Sequence, residues 1–255
     1  MQRSELECWL AKTLQPFRFT DYCPNGLQVE GTPEINKLIT GVTASQALLD
    51  RAVSEGADAV LVHHGWFWRG EDSTIRGTRK QRIATALAND LNVFAYHLPL
   101  DAHVTYGNNA QLARVIGLEP ELDTQGVPVT GGPKDLIWFG VPKKPVSLGE
   151  FVQSIAHALS RQPVFVGDLH GPCNRVAWCT GGAQGMFEAA IEAGVDAYIT
   201  GEISEPNAHL ARESGVAFIA AGHHATERYG VKALGEAIAK EFGVEVLFFD
   251  IDNPA

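Results

Sequence analysis

Two stretches of this chain overlie one another without a gap: KLITGVTASQALLDRAVSEGADAVLVHHG from Lys37 and RVAWCTGGAQGMFEAAIEAGVDAYITGE from Arg175. The overlay pairs Gln46 with Gln184, Ala52 with Ala190, Gly56 with Gly194, Asp58 with Asp196 and Ala59 with Ala197. Where identity lapses, chemistry persists. Leu48, Leu49, Ala52 and Val53 match Met186, Phe187, Ala190 and Ile191, the same helical apolar stripe. A glycine follows each stripe where a helix C-cap belongs. Each stretch therefore reads strand, Gly/Ser/Thr turn, helix, Gly, strand, a unit that favours a parallel or mixed sheet covered by helices.

A further strand follows in each half, Val93 to Tyr96 and Val216 to Ala221, and both lead into the same spacing: His97-x-x-x-Asp101 and His223-x-x-x-Glu227. The expected fold class is α/β, with two similar three-layer α/β/α domains. The first spans 1–126 and the second 127–227, with 228–255 packing back onto the first. That last stretch carries a helical stripe (Val231, Leu234, Ile238, Phe242) and a strand, Val246 to Phe249. An N-terminal amphipathic helix places Leu6, Leu10 and Leu14 on one side. The middle, 119–172, opens as a Pro/Gly-rich loop (TQGVPVTGGPKD). It continues with a strand near Ile137 to Phe139 and a helix from Ser147 to Ser160.

Composition removes several function classes. A formal net charge of −10 over 255 residues argues against a nucleic-acid footprint. No run of about 18 apolar residues offers a transmembrane helix, and MQRSELECWLAKTLQPF lacks a signal-peptide core. Cys8, Cys23, Cys173 and Cys179 form no CxxC pair, so reduced thiols and a cytoplasmic location are expected.

The histidines carry the chemical signal. Ala59 to Gly65 reads AVLVHHG, an apolar strand ending in two imidazoles, and open α/β sheets bind ligands beyond the carboxyl ends of their strands. Successive strand residues point to opposite sides, so His63 and His64 are expected to reach two different ions rather than chelate one. A pair bonded to backbone groups is the alternative. His97-Leu98-Pro99-Leu100-Asp101 adds a hard carboxylate donor after another apolar strand. Gly222 to Glu227 reads GHHATE, and residues four apart share a helix face. Glu227 also suits a helix start through the macrodipole alone. Three strand-end clusters of His and acid in one chain point to metal chemistry.

Two other segments stand out. Thr180 to Gly185, TGGAQG, reads as a phosphate-cradling turn or as a plain strand-to-helix turn, and it matches neither the Walker nor the dinucleotide pattern. From Arg69 to Arg82 the acidic background reverses, with Arg69, Arg76, Arg79, Lys80 and Arg82 against Glu71 and Asp72. Arg79, Lys80 and Arg82 are candidates to meet a substrate phosphate, or else a solvated helix face. His103, His157, His170 and His209 lack such context, and no GxSxG nucleophile motif occurs.

These motifs together resemble the family of GTP cyclohydrolase 1 type 2 homologues, the Nif-three-like or YbgI-type dinuclear metal proteins. The likeness runs nearly end to end through DYCPNGLQVEG, TGVTASQALLD, GADAVLVHHG, HLPLDAHVTYGNNAQLA, AWCTGGAQ, DAYITGEISE and AGHHATERYG. It implies two similar α/β domains with a two-metal site in the cleft between them, and toroidal homohexamers. Carried over by motif, the metal ligands are His63, His64, Asp101, His223 and Glu227, with Glu227 as the bridge. His97 then sits close by, holding a ligand in place or handling protons. The resemblance implies two divalent ions per chain (zinc, iron, manganese or nickel) and a small-molecule, nucleotide-type substrate. It also implies a hydrolase that opens the imidazole ring of GTP. The rival readings are a metal-handling or regulatory protein without turnover, and a phosphoesterase or amidohydrolase acting on another small molecule.

Overall fold

The repeat predicted by the overlay is present as two matching parallel strand triplets. A computed structural model describes all residues from Met1 to Ala255. In chain order the first half holds α1 (Arg3–Leu14), β1 (Gly26–Val29), β2 (Lys37–Thr43), α2 (Gln46–Ser54) and β3 (Ala59–His64). It continues with α3 (Gly77–Ala88), β4 (Asn92–Ala95) and α4 (Leu98–Ala102). There follow α5 (Asn108–Ile116), β5 (Leu118–Pro120), β6 (Thr130–Gly131), β7 (Ile137–Pro142), α6 (Leu148–Leu159) and β8 (Val164–Val166). The second copy is β9 (Val176–Trp178), α7 (Phe187–Glu192), β10 (Ala197–Thr200), α8 (Glu205–Ser214) and β11 (Ala217–Ala220). Then come α9 (His223–Phe242) and β12 (Glu245–Phe248).

The chain divides into two compact units, Met1–Gly107 with Gly230–Asp252, and Asn108–Tyr229 with Asn253–Ala255. The break falls at residue 107 rather than at 126. The reason is α5: its apolar face (Ala110, Leu112, Ala113, Ile116) buries with Phe151 and Ile155 of α6 and with Trp178. The first strand, β5, then pairs with β7. A loop rich in Pro and Gly thus lies inside the second unit and does not mark its edge.

In the first unit five strands run in the order β1-β4-β3-β2-β12. The inner strands β2, β3 and β4 are parallel, β12 joins in parallel beside β2, and β1 closes the other edge antiparallel. Strand alternation sorts the side chains into two layers. Ile39, Val60, Val62 and Val93 bury with Leu48 and Leu49 of α2 and Ile83 of α3. Leu38, Leu61 and Phe94 bury with Leu6, Leu10 and Leu14 of α1 and with Val231, Leu234 and Ile238 of α9. Helices on both faces leave no wet face for the parallel strands, as such sheets require.

The second unit repeats the triplet as β9, β10 and β11, with β8 antiparallel beside β11. Its difference lies on the other side, where β7 joins β9 antiparallel in place of a parallel strand such as β12. One face packs Trp138, Trp178, Ile199 and Ile219 against α5 and α6. The other stacks Phe187 of α7 on Tyr198 at a centroid distance of 5.8 Å and sets it edge-on to Phe218 at 4.9 Å.

The same small devices close each copy. Gly56 and Gly194 take positive φ (64° and 70°) after the helix, where a side chain would be strained. Asp58 Oδ2 then accepts the backbone N–H groups of Asn36 and Lys37 at 2.7 and 2.9 Å. Asp196 Oδ2 accepts those of Asn174 and Arg175 at 2.7 and 3.1 Å. In both units the carboxylate ties the start of the first strand to the start of the second, which sets the register and delivers the opposite strand ends to the chemistry.

Candidate metal centre

In the first unit the relevant side chains gather beyond the carboxyl ends of β3 and β4. His63 is fully buried and His64, the last residue of β3, is half-buried. The two rings lie close together at the strand end. The centroids lie 4.5 Å apart, and ring nitrogens of His63, His64 and His97 come within 4.8 Å of one another. The strand ends at His64, beside Thr43 of β2.

Backbone and side-chain partners orient each imidazole. His63 Nδ1–H donates to the Tyr96 carbonyl at 3.0 Å, which turns the Nε2 lone pair toward Asp101 Oδ1, 3.4 Å away. Thr43 Oγ1 lies 3.3 Å from His64 Nδ1. Asp101 is presented by the single-turn helix α4, which starts with Pro99 in its first turn and whose Asp101 N–H bonds the His97 carbonyl at 3.1 Å. A buried carboxylate facing an imidazole lone pair is a donor set that a cation satisfies.

His97 stands on a carboxylate that the sequence reading passed over. Asp21 Oδ1 accepts from His97 Nδ1 at 2.7 Å, while Oδ2 accepts from the Leu98 backbone at 2.9 Å and the Asn25 amide at 2.8 Å. Asn25 Oδ1 in turn accepts the His97 backbone N–H at 2.7 Å. Burial opposes the charge on Asp21, yet the bonds to His97 and Asn25 and the His97 charge outweigh it and hold the carboxyl down at about 2. Cys23 sits beside the same pair, but burial first, and then Asp21, push its thiol up to about 12. That disfavours a thiolate ligand there.

In the second unit the counterpart lies where α9 begins. His223 and Glu227 occupy one face a turn apart, with His223 Nε2 3.2 Å from Glu227 Oε2 and His223 Nδ1 2.6 Å from Glu202 Oε1. Burial pulls the His223 pKa down, yet Glu227 and Glu202 together push it up to about 9. A metal ion held on this ring would compete with a proton. Glu227 is buried, and the surrounding backbone is shaped to it. A Cβ on Gly181, whose φ is +69°, would collide with Glu227 Oε1, and one on Gly201 would lie 2.5 Å from His223 Cα. Gly181 N–H also donates to Thr226 Oγ1 at 3.0 Å. The TGGAQG turn thus serves as the close-packed bed of the α9 start, with a single 3-10 turn at Gln184–Met186 leading into α7.

Glu202 is the second residue the sequence reading missed, although the overlay held the signal. It is the position that falls on His64 when the two stretches are laid together. The pattern is the same in each unit: a histidine after the third strand, its Nδ1 on a carboxylate (Asp21 or Glu202), and an acid four residues on.

The basic run resolves into two parts. Arg79 and Arg82 of α3 line a pocket of about 590 Å³ that also includes His64 and Trp68. Lys80 is exposed and does not line it. His103 stacks on Tyr106 at 5.0 Å, and burial lowers its pKa. No helix is long and apolar enough to cross a membrane.

The chain is similar to proteins of known sequence along its whole length. A Pseudomonas aeruginosa protein named GTP cyclohydrolase 1 type 2 homolog is 53% identical over 242 residues, covering 95% of this chain and 94% of that one. The Escherichia coli K12 protein of the same name is 50% identical over 257 residues, with both chains fully covered. A solved structure described as protein ybgI, of unknown function, superposes with a TM-score of 0.93 at 49% identity, covering both chains fully. The model of the family Duf34/NIF3 (NGG1p interacting factor 3) matches residues 1–254, and the chain belongs to that family.

Proposed function

We propose that His63, His64, Asp101, His223 and Glu227 hold two divalent metal ions, with Glu227 between them, and that the protein is a metal-dependent hydrolase. The observation that carries this reading is the pairing of imidazole with a buried carboxylate, His63 with Asp101 and His223 with Glu227. The donor set is imidazole nitrogen and carboxylate oxygen, which suits zinc, iron, manganese and nickel. Bound there, such ions supply a water of lowered pKa and a Lewis acid for the substrate's electrophilic atom.

The chain's own residues do the rest. The Tyr96 carbonyl fixes the His63 tautomer, and Thr43 steadies His64. Glu202 orients His223 from behind. His97, with Nδ1 committed to Asp21, has Nε2 available to take and return a proton. The finer reading follows the name of the relatives: hydrolytic opening of the imidazole ring of GTP with release of formate. Cytoplasmic residence agrees with four free cysteines. A toroidal homohexamer rests on the resemblance.

The test is an assay of GTP beside panels of phosphodiesters and cyclic amides, each with and without chelator. The expected result is hydrolysis that EDTA abolishes and the restored metal recovers, with formate released from GTP. Turnover of another panel member in place of GTP would move the substrate and keep the hydrolase. No turnover by metal-loaded protein on any panel would favour a metal-handling role.

A further inference from the structure

The overlay pairs Gln46 with Gln184, and in the structure these two identical residues part ways. Gln46 opens α2, and Gln184 opens the 3-10 turn that leads into α7. Gln46 Nε2 donates to Asp50 Oδ1 at 2.7 Å and to Thr85 Oγ1 at 2.9 Å, which ties α2 to α3. Gln184 Nε2 donates instead to Glu202 Oε2 at 3.0 Å, just past the end of β10. In both copies the amide acts through its NH2, since Oε1 is buried with no hydrogen-bond partner. A buried amide held in that way is kept for what it donates to.

The backbone around Gln184 is fixed for that reach. The Tyr198 hydroxyl donates to the Ala183 carbonyl at 2.8 Å, and the Ala183 N–H donates to Thr200 Oγ1 at 3.2 Å. Asn207 Nδ2 donates to the Gln184 carbonyl at 2.9 Å, while Asn207 Oδ1 accepts the Ser204 N–H at 2.9 Å. Strand β10 and helix α8 thus set the point from which the side chain starts. Glu202 consequently has both oxygens engaged, Oε1 by His223 Nδ1 at 2.6 Å and Oε2 by Gln184. Its side chain is 43% exposed, so packing alone does not hold it. A carboxylate bonded through one oxygen can swing toward water, and the imidazole it orients then loses its anchor.

We infer that Gln184 is a positioning residue of the metal centre: it holds Glu202 so that His223 keeps Nδ1–H committed and turns Nε2 to the side of Glu227, a task its repeat counterpart Gln46 does not share. The inference rests on the proposed ligand role of His223 and adds to the centre a residue one hydrogen bond behind Glu202.

The experiment is titration of chelator-stripped protein with Co2+, read by visible absorption, which requires no turnover. Wild type binds two ions per chain. Gln184→Met weakens one of them by about tenfold and changes its visible band, with the circular dichroism of the fold retained. Gln184→Asn, too short to reach Glu202, behaves as Gln184→Met does, so the loss follows the reach of the amide and not its polarity. Glu202→Ala loses at least as much. The double variant Gln184→Met/Glu202→Ala binds no more weakly than Glu202→Ala alone, because Gln184 acts through Glu202. Gln46→Met lowers the melting temperature and leaves both Co2+ affinities at their wild-type values. The inference is overturned if Gln184→Met and Gln184→Asn bind as wild type does, or if their losses add in full to that of Glu202→Ala. It is also overturned if Gln46→Met loses as much Co2+ affinity as they do. Any of these results would leave the five ligands and the hydrolase reading standing. Wild-type protein that takes up no Co2+ would instead remove the ligand set, and the inference with it.

Discussion

Glu227→Ala protein retains less than about half of the wild-type metal per chain after purification, whereas His103→Ala retains all of it. Glu227 is only 3% exposed, and the absence of side chains at Gly181 and Gly201 leaves room for its carboxylate and for the His223 backbone. Substitution by alanine removes the sole carboxylate proposed to touch both ions and leaves the His223 Nε2 side without its acid. Loss of groups that merely orient ligands weakens metal by about 10–100-fold, and loss of a bridging ligand exceeds that. His103 interacts with Tyr106 and nearby backbone N–H groups, outside the proposed ligand set. Elemental analysis of both variants reads the effect directly. Equal metal in the two would remove the bridging role.

Asp21→Asn lowers kcat by about 100-fold with KM and metal content little changed, since it acts on the positioning of His97 and not on ligand number. The same substitution has a stability signature that needs no substrate. The Asp21 carboxyl is held down at about 2 against an ordinary value of 3.8, so its charge stabilises the fold fully above pH 4 and that contribution is lost as pH falls toward 2. The side chain is 3% exposed, so solvent screening is slight, and the shift corresponds to roughly 2 kcal/mol. Urea unfolding of wild type and Asp21→Asn at pH 6 and pH 3 should therefore show a gap that shrinks to about half at the lower pH. A gap independent of pH would mean that the variant acts through packing alone.

The two missed carboxylates show where reading residues in order fails. Glu202 was legible from the repeat, because it falls on His64, but an acid after Thr200-Gly201 carries no local pattern of its own. Asp21 had no such help. It lies in an irregular turn far from His97 in sequence, and only the fold brings Asp21, Asn25 and the start of α4 together. The strand triplets were readable because glycine at the helix ends, aspartate at the strand starts and period-2 apolar runs recur together at fixed spacing. The domain edge was not, since Pro and Gly between residues 124 and 133 signal a turn equally well inside a unit as between units. The α5 stripe that overrides them is an ordinary amphipathic pattern whose partner, α6, is distant in the chain.

The central claim is that this chain holds two metal ions on five named side chains. It is tested most directly by elemental analysis of protein purified without added metal or chelator, expressed as atoms per chain. The account predicts about two, of an ion compatible with imidazole and carboxylate donors. A value near zero that stays there after incubation with zinc, iron, manganese or nickel would contradict the ligand assignment and the hydrolytic mechanism built on it.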